Sequence, residues 1–143
     1  MRKMLAASAL LLLSACVTVP QGDPAVDARM KRFESAPGMT RIYIYRNETM
    51  GAAIKYNVLV DGRMIGATAA HTYLVAEVPP GPHTIASDGG TLRMIKVEAQ
   101  PGKNLFIWQE MKMGFGAADA KLHVVSEAVG RKGVLETKLV GGL

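Results

Sequence analysis

The stretch TYLVAEVPPGPHTI, residues 72 to 85, decides the fold class. Its first half alternates and is rich in β-branched and aromatic residues, as a half-buried strand requires. Pro79-Pro80-Gly81 then turns the chain, because proline presets φ and glycine accepts a positive φ. Pro82 to Ser87 runs back as a second strand. A strand, a chemically explicit turn and a returning strand make a hairpin, and the same grammar recurs on both sides of it.

Upstream, Ile54, Tyr56, Val58 and Val60 line one face of a strand that ends at Asp61-Gly62, the favoured pair for a tight hairpin turn. Arg63 to Gly66 returns. Before that, RIYIYR at 41–46 reads as a strand whose Arg41, Tyr43 and Tyr45 share a face. Downstream, Asp88-Gly89-Gly90 turns into Leu92–Val97, and Pro101-Gly102-Lys103-Asn104 turns into Leu105–Gln109. Residues 113 to 118 read as a loop and Leu122–Val125 as the last clear strand. Ser126 to Val129 opens either a short helix or a wide turn. Ahead of the strands, Asp23 is a good N-cap, Pro24 suits the first helical position, and Val26, Met30 and Phe33 share a face. A short helix over about 24–34 follows, ending before Pro37-Gly38.

Many short strands separated by turn signals predict a mainly β fold. The expected architecture is an antiparallel β-sandwich of the immunoglobulin or prealbumin kind with a short N-terminal helix, in one domain over 23–143. No alternating βαβ units occur, which excludes a parallel nucleotide-binding sheet.

The only cysteine lies in LLSACV, residues 12–17. Arg2-Lys3 precedes an apolar run from Met4 to Leu13, shorter than the roughly 20 residues a spanning helix needs. A charged start, a short apolar core and small residues form a secretory leader over 1–15. Leu13-Ser14-Ala15-Cys16 resembles the bacterial lipobox. That resemblance implies a diacylglycerol on the Cys16 thiol, cleavage before it and acylation of the new amino terminus. Residues 16–22 then read as a lipidated tether. Val17, rather than aspartate, after the cysteine implies sorting to the outer membrane, facing the periplasm. A lone cysteine also excludes an internal disulfide.

In order, RIYIYR, VLVDGRMIG (58–66), TYLVAEVPPGPHTI and EAQPGKNLFI (98–107) resemble a family of bacterial lipoproteins built on a domain of unknown function. The resemblance covers about residues 25–130. It implies a sandwich lipoprotein and brings no catalytic residue. Relatives carry Tyr-Tyr where this chain has Phe106-Ile107-Trp108. The PPG-H turn also occurs in surface-layer and carboxypeptidase-associated sandwich modules.

The chain has 143 residues and a formal charge of +5, with both signs scattered. Without a basic stripe interleaved with aromatics, no nucleic-acid partner is expected. His71, His83 and His123 lie apart, with no second ligand at metal spacing. His83 is read as capping its strand. Ser87-Asp88 lacks the surroundings of a nucleophile elbow, and no enzyme or cofactor is expected. Two other readings are carried forward. Met111 and Met113 alternate on a strand, and paired thioethers hold Cu(I), so a copper or small-ligand carrier is the rival reading. Phe115 in the glycine-flanked loop, with Tyr43 and Tyr45, is the candidate contact for an envelope protein or glycan. The leading expectation is a non-enzymatic binding or structural module tethered to the cell envelope.

Overall fold

The computed structural model describes residues 17–114 and 117–141. Its elements are α1 (Pro24–Met30), β1 (Thr40–Arg46), β2 (Tyr56–Val60), β3 (Arg63–Thr68), β4 (Thr72–Val78), β5 (Gly81–Asp88), β6 (Leu92–Ala99), β7 (Asn104–Gly114), β8 (Ala117–Val125), α2 (Glu127–Leu135) and β9 (Lys138–Leu139). They form two sheets, ordered β8-β7-β1-β4-β9 and β3-β2-β5-β6. The sheets pack face to face as a β-sandwich. Ile42, Ile44, Val58, Leu74, Ile85, Val97 and Ile107 fill the space between them.

The turns behave as their residues dictate. Asp61 and Gly62 both take positive φ, 50° and 77°, which joins β2 to β3 with a twist matching the strands. Gly81 has φ 120° after the two prolines.

Two features depart from the expected antiparallel sandwich. First, β1 pairs parallel with β7, and β4 pairs parallel with β9. Parallel neighbours need a long crossover, and here the crossover from β1 to β7 includes the whole second sheet. Second, β1 lies at the centre of its sheet, flanked by β4 and β7. It is buried on both faces, so it reads as an almost unbroken apolar run. Ile42 and Ile44 face the sandwich core, and Tyr43 and Tyr45 face a third layer made by the helices.

That third layer is where the sequence reading needs most correction. α1 ends at Met30, four residues earlier than expected. Its cap is as foreseen: Asp23 Oδ1 accepts from Ala25 N at 2.7 Å and Val26 N at 3.2 Å. Phe33 then takes φ 55°, and its ring packs 5.5 Å from Tyr43 and 5.8 Å from Phe106. α2 is a full helix capped by Ser126. Gly130 and Gly133 lie on its sheet-facing side. A Cβ there would come within 2.2 Å of Phe106 Cβ and 2.1 Å of Tyr45 Cε2, so glycine sets how closely the helix approaches the rings. Of the loop expected at 113–118, Met113 and Gly114 instead continue β7 and Ala117 and Ala118 belong to β8, with Gly114 opposite Ala117.

A buried polar bridge ties the two sheets. Gln109 of β7 accepts from Thr68 Oγ1 of β3 and donates from Nε2 to Ser87 Oγ of β5, each at 2.5 Å. All three residues are fully buried.

Candidate functional site

The candidate site is the end of the sandwich where the N-terminal segment meets the fold. Residues 17–22, within the stretch read as a lipidated tether, lie against the fold. Val17 N donates to Ala52 O at 3.2 Å, Gly22 N to Leu139 O at 2.8 Å, and Gly141 N to Pro20 O at 2.8 Å. Gln21 bridges Val140 in antiparallel sense, and Val19 packs against the sandwich core. The segment is held because backbone groups beside β9 would otherwise lack partners. Within it, Gln21 makes an isolated bridge and no regular strand forms.

Ala52 belongs to the loop 47–55, which a buried cation holds in place. Arg46 closes β1 and is fully buried. Its Nη1 donates to Ile54 O at 2.7 Å, and its Nη2 donates to Gly51 O at 2.5 Å and Met50 O at 3.3 Å. The guanidinium also lies 5.9 Å from the centre of the Tyr56 ring. Burial lowers the pKa of Arg46, while Tyr56 and Glu48 act in the opposite direction. Glu48 Oε2 in turn accepts Met111 N at 2.9 Å, binding the loop to β7. A planar cation with several forked donors suits a loop that offers several carbonyls at once.

Beside the docked segment lies a half-open cleft of about 670 Å³, walled by residues 17–22, Ala69–Thr72 and Leu135–Leu139. Lys31 forms part of its wall, donating to Thr137 O at 2.5 Å and Asp27 Oδ2 at 3.2 Å. His71, at φ 57°, places Nε2 2.9 Å from Thr49 Oγ1 and so ties this connection to the loop 47–55.

The sequence-named residues are dispersed. Cys16 and Phe115 lie outside the described residues. Tyr43 and Tyr45, read as a contact surface, are 0% and 2% exposed, so their rings are covered by the helical layer and offer no partner a surface. Tyr43 stacks on Phe106 at 5.1 Å and donates from its hydroxyl to Met30 O at 2.9 Å. Burial raises the pKa of both phenols. Met111 and Met113 share a strand face but not an environment. Met111 is 3% exposed, packed with Tyr56 and Ala120, whereas Met113 is 58% exposed beyond the covered part of the hairpin. Among the described residues, no group of three His, Cys, Asp or Glu side chains is placed to hold a metal.

The histidines each serve a separate local structure. His83 joins two turns, with Nδ1 2.6 Å from Asp61 Oδ2 and Nε2 2.7 Å from Pro79 O. His123 stacks on Trp108 at 5.2 Å and lies 2.7 Å from Glu110 Oε2. Glu110 is held below its ordinary pKa, first by its hydrogen bond with Lys112 and then by His123. Ser87 is sealed in the inter-sheet bridge and presents no nucleophile. Sequence reasoning missed Arg46 and the docking of 17–22. The available signal was an arginine at the end of an otherwise apolar, doubly buried strand. Among the described residues no helix is long and apolar enough to cross a membrane.

Comparison with known proteins adds a family. A family described as protein of unknown function (DUF2846) matches residues 36–123, which takes in β1 to β7, most of β8 and the loop closed by Arg46. An uncharacterized protein of Haemophilus influenzae is 33% identical over 126 residues, covering 87% of this chain and 75% of that protein. No solved structure matches the chain.

Proposed function

The chain belongs to the family of proteins of unknown function DUF2846, and from that premise we propose that it is a lipid-anchored, non-enzymatic module of the cell envelope. Cys16 is the attachment point, and the sandwich is a binding or structural unit at the outer membrane, facing the periplasm. Its partner is an envelope protein or glycan. The observation that carries this reading is the motif Leu13-Ser14-Ala15-Cys16 at the end of the apolar N-terminal run, followed at once by a segment docked on the fold. Several acyl chains on one residue anchor stably where a single chain binds only marginally. The non-enzymatic reading is supported by the local structural duties of His83, His123 and Ser87.

Intact mass and membrane fractionation of wild type against Cys16→Ala test it. The expected result is a lipid-sized mass increment and outer-membrane recovery for wild type, both lost in the variant. Crosslinking of the wild type in cells then identifies the partner. If Cys16→Ala changes neither mass nor location, the anchor reading is wrong.

A further inference from the structure

The sandwich has two unlike ends. Strand direction assigns them: β1 and β7 run from one end to the other, while β4 runs back. One end gathers the turns 61–62, 79–80 and 100–103, built from Asp, Gly, Pro, Gln and Lys. None of the exposed large hydrophobic side chains among the described residues falls in those turns. The opposite end gathers the loop 47–55, the connection 69–71, the turn 89–91 and the far part of the β7–β8 hairpin. Here Met50 is 54% exposed, Met113 58%, Leu92 51% and Leu135 58%.

The N-terminal segment reaches the fold at this second end. Val17 is hydrogen-bonded to Ala52, two residues from Met50, and lines the same cleft as Leu135. The loop itself is fixed to the core through Arg46. The described chain thus begins at this surface with Val17, the residue next in sequence to Cys16. No free linker separates the position of the anchor from the exposed methionines.

We propose that this end of the sandwich rests on the lipid surface, with Met50 and Met113 at the centre of the footprint and Leu92 and Leu135 at its margins. The inference rests on the anchored reading of Cys16. A short attachment keeps the face beside it at high effective concentration over the bilayer. A modest apolar area then suffices to seat it at the boundary between headgroups and acyl chains. Methionine suits such a surface, since its flexible thioether adapts to irregular surroundings. The seven residues of β1 span about 23 Å at roughly 3.3 Å each. The polar turns therefore stand clear of the headgroups and face outward to partners.

The test uses the full lipidated chain in vesicles of phosphatidylethanolamine and phosphatidylglycerol. Met50→Cys, Met113→Cys and Lys103→Cys each supply one labelling site, because Cys16 is blocked by its lipid. Each receives an environment-sensitive dye, and quenching by lipid-borne and by aqueous quenchers is compared. All three positions are exposed, so the fold tolerates the labels. The expected result is several-fold stronger lipid-borne quenching at 50 and 113 than at 103. Equal, wholly aqueous labels on a chain whose mass carries the lipid would overturn the docked orientation and leave the anchor standing. Stronger lipid-borne quenching at 103 would overturn it too, by reversing the face. A mass without lipid would overturn both the anchor and this inference.

Discussion

His83 and Asp61 lock two separate turns together. The imidazole Nδ1 lies 2.6 Å from the carboxylate, while Nε2 lies 2.7 Å from the carbonyl of Pro79, and Asp61 Oδ1 accepts Thr84 N at 2.9 Å. Both ring nitrogens face acceptors, an arrangement that only the doubly protonated ring satisfies in full, and through it the Asp-Gly and Pro-Pro-Gly turns share one clamp.

This clamp has a pH signature. The hydrogen bond that His83 donates to Asp61 holds the pKa of His83 above its ordinary 6.5. The hydrogen bond from His83, with that from Thr84, holds Asp61 below its ordinary 3.8. The histidine contribution is fully present below about pH 6.5 and is lost as pH rises through the raised value. The aspartate contribution is present above about pH 4 and is lost as pH falls through the depressed value. Urea midpoints of wild type and His83→Gln across this range should therefore converge on the alkaline side. A constant difference from pH 6 to 9 would contradict the clamp.

Arg46→Met should be costly although it keeps much of the side-chain volume. It leaves the carbonyls of Met50, Gly51 and Ile54 without their donors. Hydrogen bonds to a charged group are worth about 1.5–3 kcal/mol each, and the loop can recover part of that by opening to water. A net loss of roughly 2–4 kcal/mol is expected. Faster proteolysis within 47–55 should accompany it. Arg46→Lys should rescue little, because a single ammonium cannot reproduce the planar fork.

Gly130→Ala and Gly133→Ala should reverse the usual ranking. In an open helix the exchange gains about 0.5–1 kcal/mol. Here the added methyl groups meet Phe106 and Tyr45 at close to 2 Å, and overpacking of this kind costs about 1–3 kcal/mol. A fall in the unfolding midpoint with altered near-ultraviolet dichroism checks this. A rise would show that α2 is not seated on the rings.

Gln109→Leu should destabilise by about 2–3 kcal/mol, because it strands the buried hydroxyls of Thr68 and Ser87. Combining it with Thr68→Val and Ser87→Ala removes every member of the bridge and should recover most of the loss. Urea unfolding of the single and triple variants measures the difference. Additive losses would mean that the three side chains do not act as one network.

Local chemistry made the hairpins legible. Asp61-Gly62 and Pro79-Pro80-Gly81 state their turns in a few residues, and Asp23-Pro24 states the start of α1. What lay beyond reach was set by distant contacts. Tyr43 pairs in register with Phe106 of β7, and nothing near RIYIYR encodes that neighbour. α2 was obscured because Gly130 and Gly133 weaken its helical signal for the sake of packing. Met111 and Met113 look equivalent by alternation, yet only one is covered by Tyr56. At the candidate site, the docking of 17–22 depended on a strand more than a hundred residues away.

That docking also governs how the molecule would take a pull. The segment at 20–22 is bonded to 139 and 141, and β9 is laid against β4 through Thr72 and Tyr73. Tension entering from the N-terminus passes into the middle sheet through the last strand of the chain and bypasses α1. The two chain ends thus act as a single latch, and trimming residues after Leu139 would slacken the N-terminal segment as surely as cutting it.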